Sequence, residues 1–492
     1  MIRKMYLMLM ILASFIYQSL FAQPDILWTK TYGGTEFDNG SSVQQTSDGG
    51  YIIVGYTASF GAGSNDVWLI KTNASGDTLW TKTFGGSQSD VASSVLITDD
   101  GGYIISGQTK SYGAGLNDVW LIKINASGDT LWTKTFGGNN NDSSYEIQHT
   151  SDNGYIIIGL TNSFGAGLND VWLIKTNASG DTLWTKTFGG SNHELGASVQ
   201  QTLDNGYVIT GSTGSFGAGS EDAWLIKTDA SGDTLRTKTF GGSDAERFLS
   251  IQQTDDSGYI MTGYTNSIGA GSRDVWLVKT NVSGDTLWTK TYGGSGAESG
   301  NSVFATDDGG YIISGYTDSY GAGSNDAWLI KTDASGDTLW TKTIGGSEDD
   351  RINSVYQTTD QGYIITGQTK SYGQGNNDTW LIRTAPDVST FVTENSSDIP
   401  ESYRLFQNYP NPFNPETTIH FKLPVENIVK IKIYNILGGK VRTLLEEKRA
   451  AGYYVVHWDG RNDAGESVPS GVYLYECVTS DFKQMRKMLL LK

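Results

Sequence analysis

At 492 residues the chain is too long for one ordinary hydrophobic core, so it holds several domains or a repeat array. Glycine is abundant (62) and proline scarce (8), yet aromatics reach 12%, which excludes a disordered glycine-rich polymer and points to glycine in the turns of an ordered all-β protein. A formal charge of −18 repels nucleic acid and anionic lipid, and the single cysteine, Cys477, excludes an internal disulfide and a cysteine-based zinc site. From Glu401 onward there are 13 basic and 10 acidic residues, so the excess acid lies in the preceding part of the chain.

Residues 1–22 read as a signal peptide: Arg3 and Lys4 precede an apolar run from Tyr6 to Ile16, and the small residue Ala22 stands before Gln23. That run is shorter than the ~20 residues a spanning helix needs, and no later segment approaches the length. The expectation is export, through the periplasm, of a soluble mature chain without a transmembrane span.

From residue 23 to 384 the sequence repeats with a period of 52. One tryptophan series, in LWTKT, runs Trp28, Trp80, Trp132, Trp184, then Arg236 as the exception, then Trp288 and Trp340; a second, in WLIKT-like segments, runs Trp68, Trp120, Trp172, Trp224, Trp276, Trp328 and Trp380. Each period has four strand-like runs separated by turn sequences such as Ser-Asp-Gly-Gly and Asn-Ala-Ser-Gly-Asp, so the strands are antiparallel hairpins. Runs such as Val67-Trp-Leu-Ile70 are apolar on both faces and must be covered on both. Stacking copies in a closed ring achieves this, which predicts a seven-bladed β-propeller of four-stranded blades. The seventh copy lacks an LWTKT strand of its own, and Ile26–Tyr32 can supply it and latch the ring. A tryptophan buries about 150–250 Å2, worth at most about 4–6 kcal/mol, so the two series are the expected glue between blades. Arg236 would not tolerate enclosure, which puts the LWTKT tryptophans near the outer rim.

Asn73-Ala-Ser-Gly-Asp-Thr-Leu-Trp80 resembles the tryptophan-docking repeat of pyrroloquinoline quinone dehydrogenase propellers, and the whole unit is similar to bacterial propeller repeats of surface proteins. That resemblance implies a fold and says little about activity.

One face of the disc carries the 1→2 and 3→4 turns. There Asp48, Asp100, Asp152, Asp204, Asp256, Asp308 and Asp360 read as turn-formers. The other face carries the variable segments after each Gly-Gly: Thr35–Asp38, Asn139–Asp142, Ser191–Glu194, Ser243–Glu246 and Ser347–Asp350. Beside them lies the Gly-Ala-Gly-Ser-Asn-Asp loop, whose acid recurs as Asp66, Asp118, Asp170, Asp222, Asp274, Asp326 and Asp378. Such an aspartate caps loop amides, and a ring of seven could also hold Ca2+ or steer a cationic ligand. No D-x-D-x-D-G loop supports a metal, and no motif calls for a cofactor. Only His149 and His193 occur in the blades, no nucleophile motif is present, and seven nearly equal blades lack the asymmetry of a unique catalytic cluster. No catalytic residue is assigned.

After a polar linker, 385–403, a different domain spans 404–492. Leu405-Phe-Gln-Asn-Tyr409-Pro410-Asn411-Pro412-Phe413-Asn414-Pro415, Lys432–Val441, the Ser470-Gly471-Val-Tyr-Leu-Tyr475 run and the basic end from Lys487 to Lys492 resemble, in order, the type A sorting domain of the type IX secretion system. The alternating runs describe a small antiparallel sandwich, and the same motifs also resemble the Ig-like domain of flagellar hook-capping proteins. The sorting resemblance implies recognition by the type IX machinery at the outer membrane.

The reading is therefore an all-β chain: a seven-bladed propeller followed by a small Ig-like sandwich. It acts as a secreted or surface-attached, non-catalytic binding or structural module, a monomer whose unknown protein or glycan partner sits on the acidic loop face. The alternative from another class is an extracellular enzyme, a polysaccharide-acting hydrolase or a quinone-dependent oxidoreductase.

Overall fold

The computed structural model describes residues 23–387, 403–406, 408 and 415–490. The expected signal peptide and residues 388–402 of the linker lie outside the described residues. The chain divides into two compact units, one built on Ile26–Tyr356 with Tyr363–Thr384, the other containing Ala385–Lys492.

In the first unit every 52-residue period folds into one four-stranded antiparallel sheet whose strands follow chain order. In the first blade these are Asp38–Gln45, Tyr51–Thr57, Asp66–Thr72 and Thr78–Phe84. Their burial explains their composition. Asp66–Thr72 is buried at every position, as a strand covered on both faces requires, whereas Thr78–Phe84 alternates between exposed and half-buried, as an outer edge does. The innermost strand carries a bulge between Gly40 and Ser42, repeated between Ala92 and Ser94 and between Phe248 and Ser250. The bulge bends the strand where it passes the axis.

Seven such sheets form a ring. The seventh combines Asp350–Gln357, Tyr363–Thr369 and Asp378–Thr384 with the N-terminal Ile26–Tyr32, which pairs antiparallel to Asp378–Thr384, Thr31 opposite Trp380. The latch expected from the strand count is thus present. At the axis, Asn353 Nδ2 of the seventh blade donates to Asn39 Oδ1 (3.0 Å) and to the Gly40 carbonyl (2.9 Å) of the first. The core is a set of wedges between consecutive blades: Ile52, Val54, Val67 and Leu69 of the first meet Tyr103, Ile105, Trp120 and Ile122 of the second, and Ile364 and Leu381 of the seventh meet Ile53, Trp68 and Ile70 of the first.

The two tryptophan series divide this labour. Trp68 and its equivalents are buried between blades, while the LWTKT tryptophans are half-buried at the rim except for Trp340, which is buried. Trp28, Trp80, Trp132, Trp184 and Trp288 each cover the turn glycine of the next blade: a methyl group on Gly76 would stand 2.8 Å from the Trp28 ring. Arg236 is exposed, its guanidinium 3.5 Å from the Val282 carbonyl, as its placement at the rim requires.

In the second unit, Thr417–Leu423 pairs with Arg404–Leu405 and Gly452–Trp458, and a four-stranded sheet runs Lys440–Arg449, Asn427–Asn435, Gly471–Val478, Lys483–Leu490. The alternating residues Ile419, Phe421, Val429, Ile431, Ile433, Trp458, Tyr475 and Leu490 enclose one core. Cys477 is part of it, and burial pushes its thiol up to about 12.

Candidate binding site at the axial mouth

The turns at the two ends of the blades are held by different devices. On the 1→2 side the recurrent aspartate is more than a turn-former. Asp100 Oδ1 accepts from Gly102 N (2.9 Å) and from Lys123 Nζ (2.9 Å), and Thr98 Oγ1 donates to it as well. Lys123 is the lysine of WLIKT and is buried. Hydrogen bonds from Thr98 and Lys123 hold the Asp100 carboxyl down at about 2. The arrangement recurs at Lys71–Asp48, Lys175–Asp152, Lys227–Asp204, Lys279–Asp256 and Lys331–Asp308. Sequence reasoning missed this pairing, since the lysine reads there as one residue of an apolar strand.

On the opposite face, where the 2→3 and 4→1 connections emerge, the two rings of acids serve the loops. Asp66 Oδ2 accepts from Ala62 N (3.0 Å) and Gly63 N (2.8 Å), and Asp118, Asp170, Asp222, Asp274, Asp326 and Asp378 cap their loops in the same way. The carboxylate also dictates the first glycine of the Gly-Gly pair, because a methyl on Gly85 would lie 2.1 Å from Asp66 Oδ1. The acids of the variable segments form the second ring. Asp90 Oδ2 accepts from Gly86 N (2.8 Å) and Ser111 Oγ (2.6 Å), and Asp38, Asp142, Glu194, Glu246, Glu298 and Asp350 are equally buried. Among the described residues no group of three or more His, Cys, Asp or Glu is placed to hold a metal ion. The acidic face expected from the sequence is therefore not a field of free carboxylates: both rings are turned inward onto backbone amides and hydroxyls.

What faces the axis on this side is different and is not sevenfold. The second residue of the innermost strand runs Asn39, Val91, Ser143, Leu195, Arg247, Ser299, Arg351 around the ring. The residue before the third strand is asparagine in five blades but Glu221 in the fourth and Arg273 in the fifth. Cross-strand pairing puts Tyr264 opposite Arg247 and Tyr316 opposite Ser299. Of these, Asn39, Arg247, Arg273, Ser299, Arg351, Tyr264 and Tyr316 line a cavity of about 690 Å3, together with Tyr56, Leu249, Asn301, Asn353 and Gln368. A neighbouring cavity of about 620 Å3 shares Arg247 and is bounded by Tyr145, His193 and Glu221. The blades are near-equal in their scaffold but not here: residues that occur in only one to three of the seven copies converge on one end of the channel.

The arginines are ordered by their neighbours. The Arg273 guanidinium lies 4.1 Å from the centroid of Tyr264, and that of Arg351 lies 4.6 Å from Tyr316. Arg351 Nε donates to Asp349 Oδ1 at 3.0 Å, and Asp349 in turn accepts from Asn325 Nδ2 at 2.7 Å. Arg247 Nε stands 2.9 Å from Glu221 Oε1, a charge contact rather than a well-aligned hydrogen bond. Burial works against the Arg247 cation, but Glu221 outweighs it and holds its pKa above the usual guanidinium value. Burial likewise raises the Tyr264 hydroxyl, so it stays protonated at neutral pH.

The two blade histidines do not meet: His193 borders the smaller cavity, and His149 hydrogen-bonds the Ile97 carbonyl (2.9 Å) of the preceding blade. Of the sorting-motif positions, Tyr409, Pro410, Asn411, Pro412, Phe413, Asn414 and Lys492 lie outside the described residues. Pro415 precedes the strand Thr417–Leu423, Gly471 opens the strand to Val478, and exposed Lys487 lies on the last strand opposite Leu474.

Residues 415–481 match the FlgD Ig-like domain family. An alignment 250 positions long, covering 45% of this chain, is 25% identical to the regulatory protein FlaEY of Caulobacter vibrioides and spans a quarter of that protein's length. Among solved structures, PorZ, a bacterial surface component of the type IX secretion system of Porphyromonas gingivalis, aligns with a TM-score of 0.43 at 12% identity, over 94% of this chain and 60% of its own. The Neurospora crassa Pan2 WD40 domain aligns with a TM-score of 0.45 at 9% identity, over 70% of this chain and 89% of its own.

Proposed function

We propose that this chain is an exported, non-catalytic binding propeller that takes its ligand at the axial mouth of the loop face, and that residues 404–492 are its type IX sorting domain. The observation that carries the binding role is the collapse of sevenfold repetition at that mouth: the surrounding scaffold is copied blade to blade, while arginine, tyrosine and asparagine are concentrated around one opening. The carboxylates nearest the arginines, Glu221 and Asp349, are each engaged by one of them, which favours recognition over acid–base chemistry. Saccharides and peptides screened against the full chain by calorimetry test the role. Binding that is weakened by Gln368→Ala, with the fold unchanged, is expected; turnover of a bound polymer would replace the reading with the hydrolase alternative.

For the C-terminal unit the support is the order of motifs from Tyr409 to Lys492. A second reading is favoured by the match of residues 415–481 to the FlgD Ig-like domain family, namely a structural sandwich without an address. The two separate in a type IX-competent host. Deleting 404–492 is expected to leave the folded propeller in the periplasm, and normal surface delivery of the truncated chain would leave only the structural role.

A further inference from the structure

Residues 26–384 hold five arginines, namely Arg236, Arg247, Arg273, Arg351 and Arg383, in a region that carries essentially the whole acid excess. Three of the five line the same cavity. Two are matched, Arg247 by Glu221 and Arg351 by Asp349. Among the described residues, Arg273 has no carboxylate within ion-pair distance; it is half-buried and laid on the Tyr264 ring at 4.1 Å. Stacking of this kind fixes the guanidinium plane while leaving its N–H edge free, the geometry that suits a bidentate carboxylate. The cluster therefore carries one cation in excess of its acids.

The rest of the wall sets the ligand's other chemistry. Asn301, Asn353 and Gln368 line it with amides: the Asn353 amide nitrogen is spent on Asn39 and Gly40 and that of Asn301 donates to the Ile352 carbonyl, so the groups turned to a ligand are the Asn353 Oδ1, the second Asn301 N–H and the Gln368 amide, and Leu249 is the only aliphatic side chain of the cavity. A wall of this kind matches a dense array of hydroxyls better than the apolar side chains of a peptide. The volume, about 690 Å3, falls within the usual range of small-ligand sites, about 300–1,000 Å3.

We propose that the axial mouth binds a carboxylated saccharide, its carboxylate held by Arg273 between Arg247 and Arg351 and its hydroxyls held by the amide side chains. The assignment rests on the binding role proposed above and names its ligand class. Catalysis plays no part in it: the saccharide is bound and released unchanged.

The test is calorimetry on the full chain with three probes: tri-galacturonic acid, its methyl ester, and a glutamate oligomer of equal charge. Tri-galacturonic acid is expected to bind, the uncharged ester at least about tenfold more weakly, consistent with loss of one charge-assisted pair. Arg273→Gln should cost the acid at least about tenfold and leave the ester unchanged, while Arg236→Gln, at the distant rim, should alter neither. Thermal melting of each variant within about 2 °C of the parent establishes that the fold is kept. Equal binding of acid and ester, or insensitivity to Arg273→Gln, overturns the ligand class while leaving the binding role standing. Tighter binding of the glutamate oligomer overturns it in favour of an acidic peptide. If none of the three binds and the wider screen also finds no ligand, the binding role falls with it.

Discussion

The two ends of each blade obey opposite rules. At the 1→2 turns the same Thr, Asp and Gly recur in all seven blades and the same Lys in six, with Arg383 in the seventh, because a buried cation leaves little freedom in what must face it. At the axial mouth the same framework carries Val91, Ser143, Leu195, Arg247 and Arg351 at one position without disturbing a strand. Identity between copies thus marks what the ring needs to exist, and divergence marks the surface on which the proposed ligand would sit.

The largest effect expected within the scaffold comes from removing its closure. Without residues 23–32 the strand Asp378–Thr384 becomes an open edge, and Trp28 and Tyr32 leave the wedge between the seventh and first blades. A loss of about 5 kcal/mol or more, on the scale of a whole domain's stability, is expected, with self-association seen in sedimentation. A monomeric, cooperatively melting truncation would show that the ring closes without its latch.

Next is the buried pair Lys331–Asp308, 2.7 Å apart, in which the lysine has no exposed surface. Asp308→Ala strands that cation and should cost about 3–5 kcal/mol by denaturant titration, while ligand binding at the mouth persists. A cost below about 1 kcal/mol would mean that the turn does not depend on the pair.

Acid should act on the same end. The folded state holds Asp48, Asp100, Asp152 and Asp204 at about 2, below the ordinary 3.8, so their contribution is complete above about pH 4 and is lost as pH falls toward 2. These carboxylates are more than half exposed, so each contributes little alone and the decline is shared. Melting temperature against pH should be flat from 7 to 5 and fall below 4. A flat profile down to pH 2 would remove the pairs from the account of stability.

The smallest effect concerns the rim. Gly284 lacks the tryptophan that covers Gly76, Gly180 and Gly232, because Arg236 stands in its place. Arg236→Trp should raise the melting temperature by about 1–2 °C, a gain of about 1 kcal/mol, and a clear drop would mean that the rim is closed to a large ring.

Much of this scaffold was legible because it is periodic. Strands buried on both faces must be stacked, and a missing seventh outer strand must be replaced, so Trp68, Trp380 and Ile26–Tyr32 could be read from spacing alone. Arg236 betrayed the rim by being incompatible with enclosure. The Lys–Asp pairs were not legible, since a period gives the position of a residue and not the neighbour that folding brings to it. The mouth was missed for a different reason. The recurring acids Glu246 and Asp350 mask the exceptions beside them: Arg247 and Arg351 stand one residue further on, and Arg273 stands next to the repeated Asp274. Aligning the seven copies and reading the exceptions instead of the consensus would have brought these three together.

The seam between Ile26–Tyr32 and Asp378–Thr384 joins the earliest strand of the ring to the latest. A ribosome delivers the first long before the second exists, so the clasp is the final event of assembly, and until then the growing arc exposes an unpaired strand and a bare apolar wedge. Any holding factor that protects the nascent chain therefore has a natural target in that wedge, which disappears once the ring has shut.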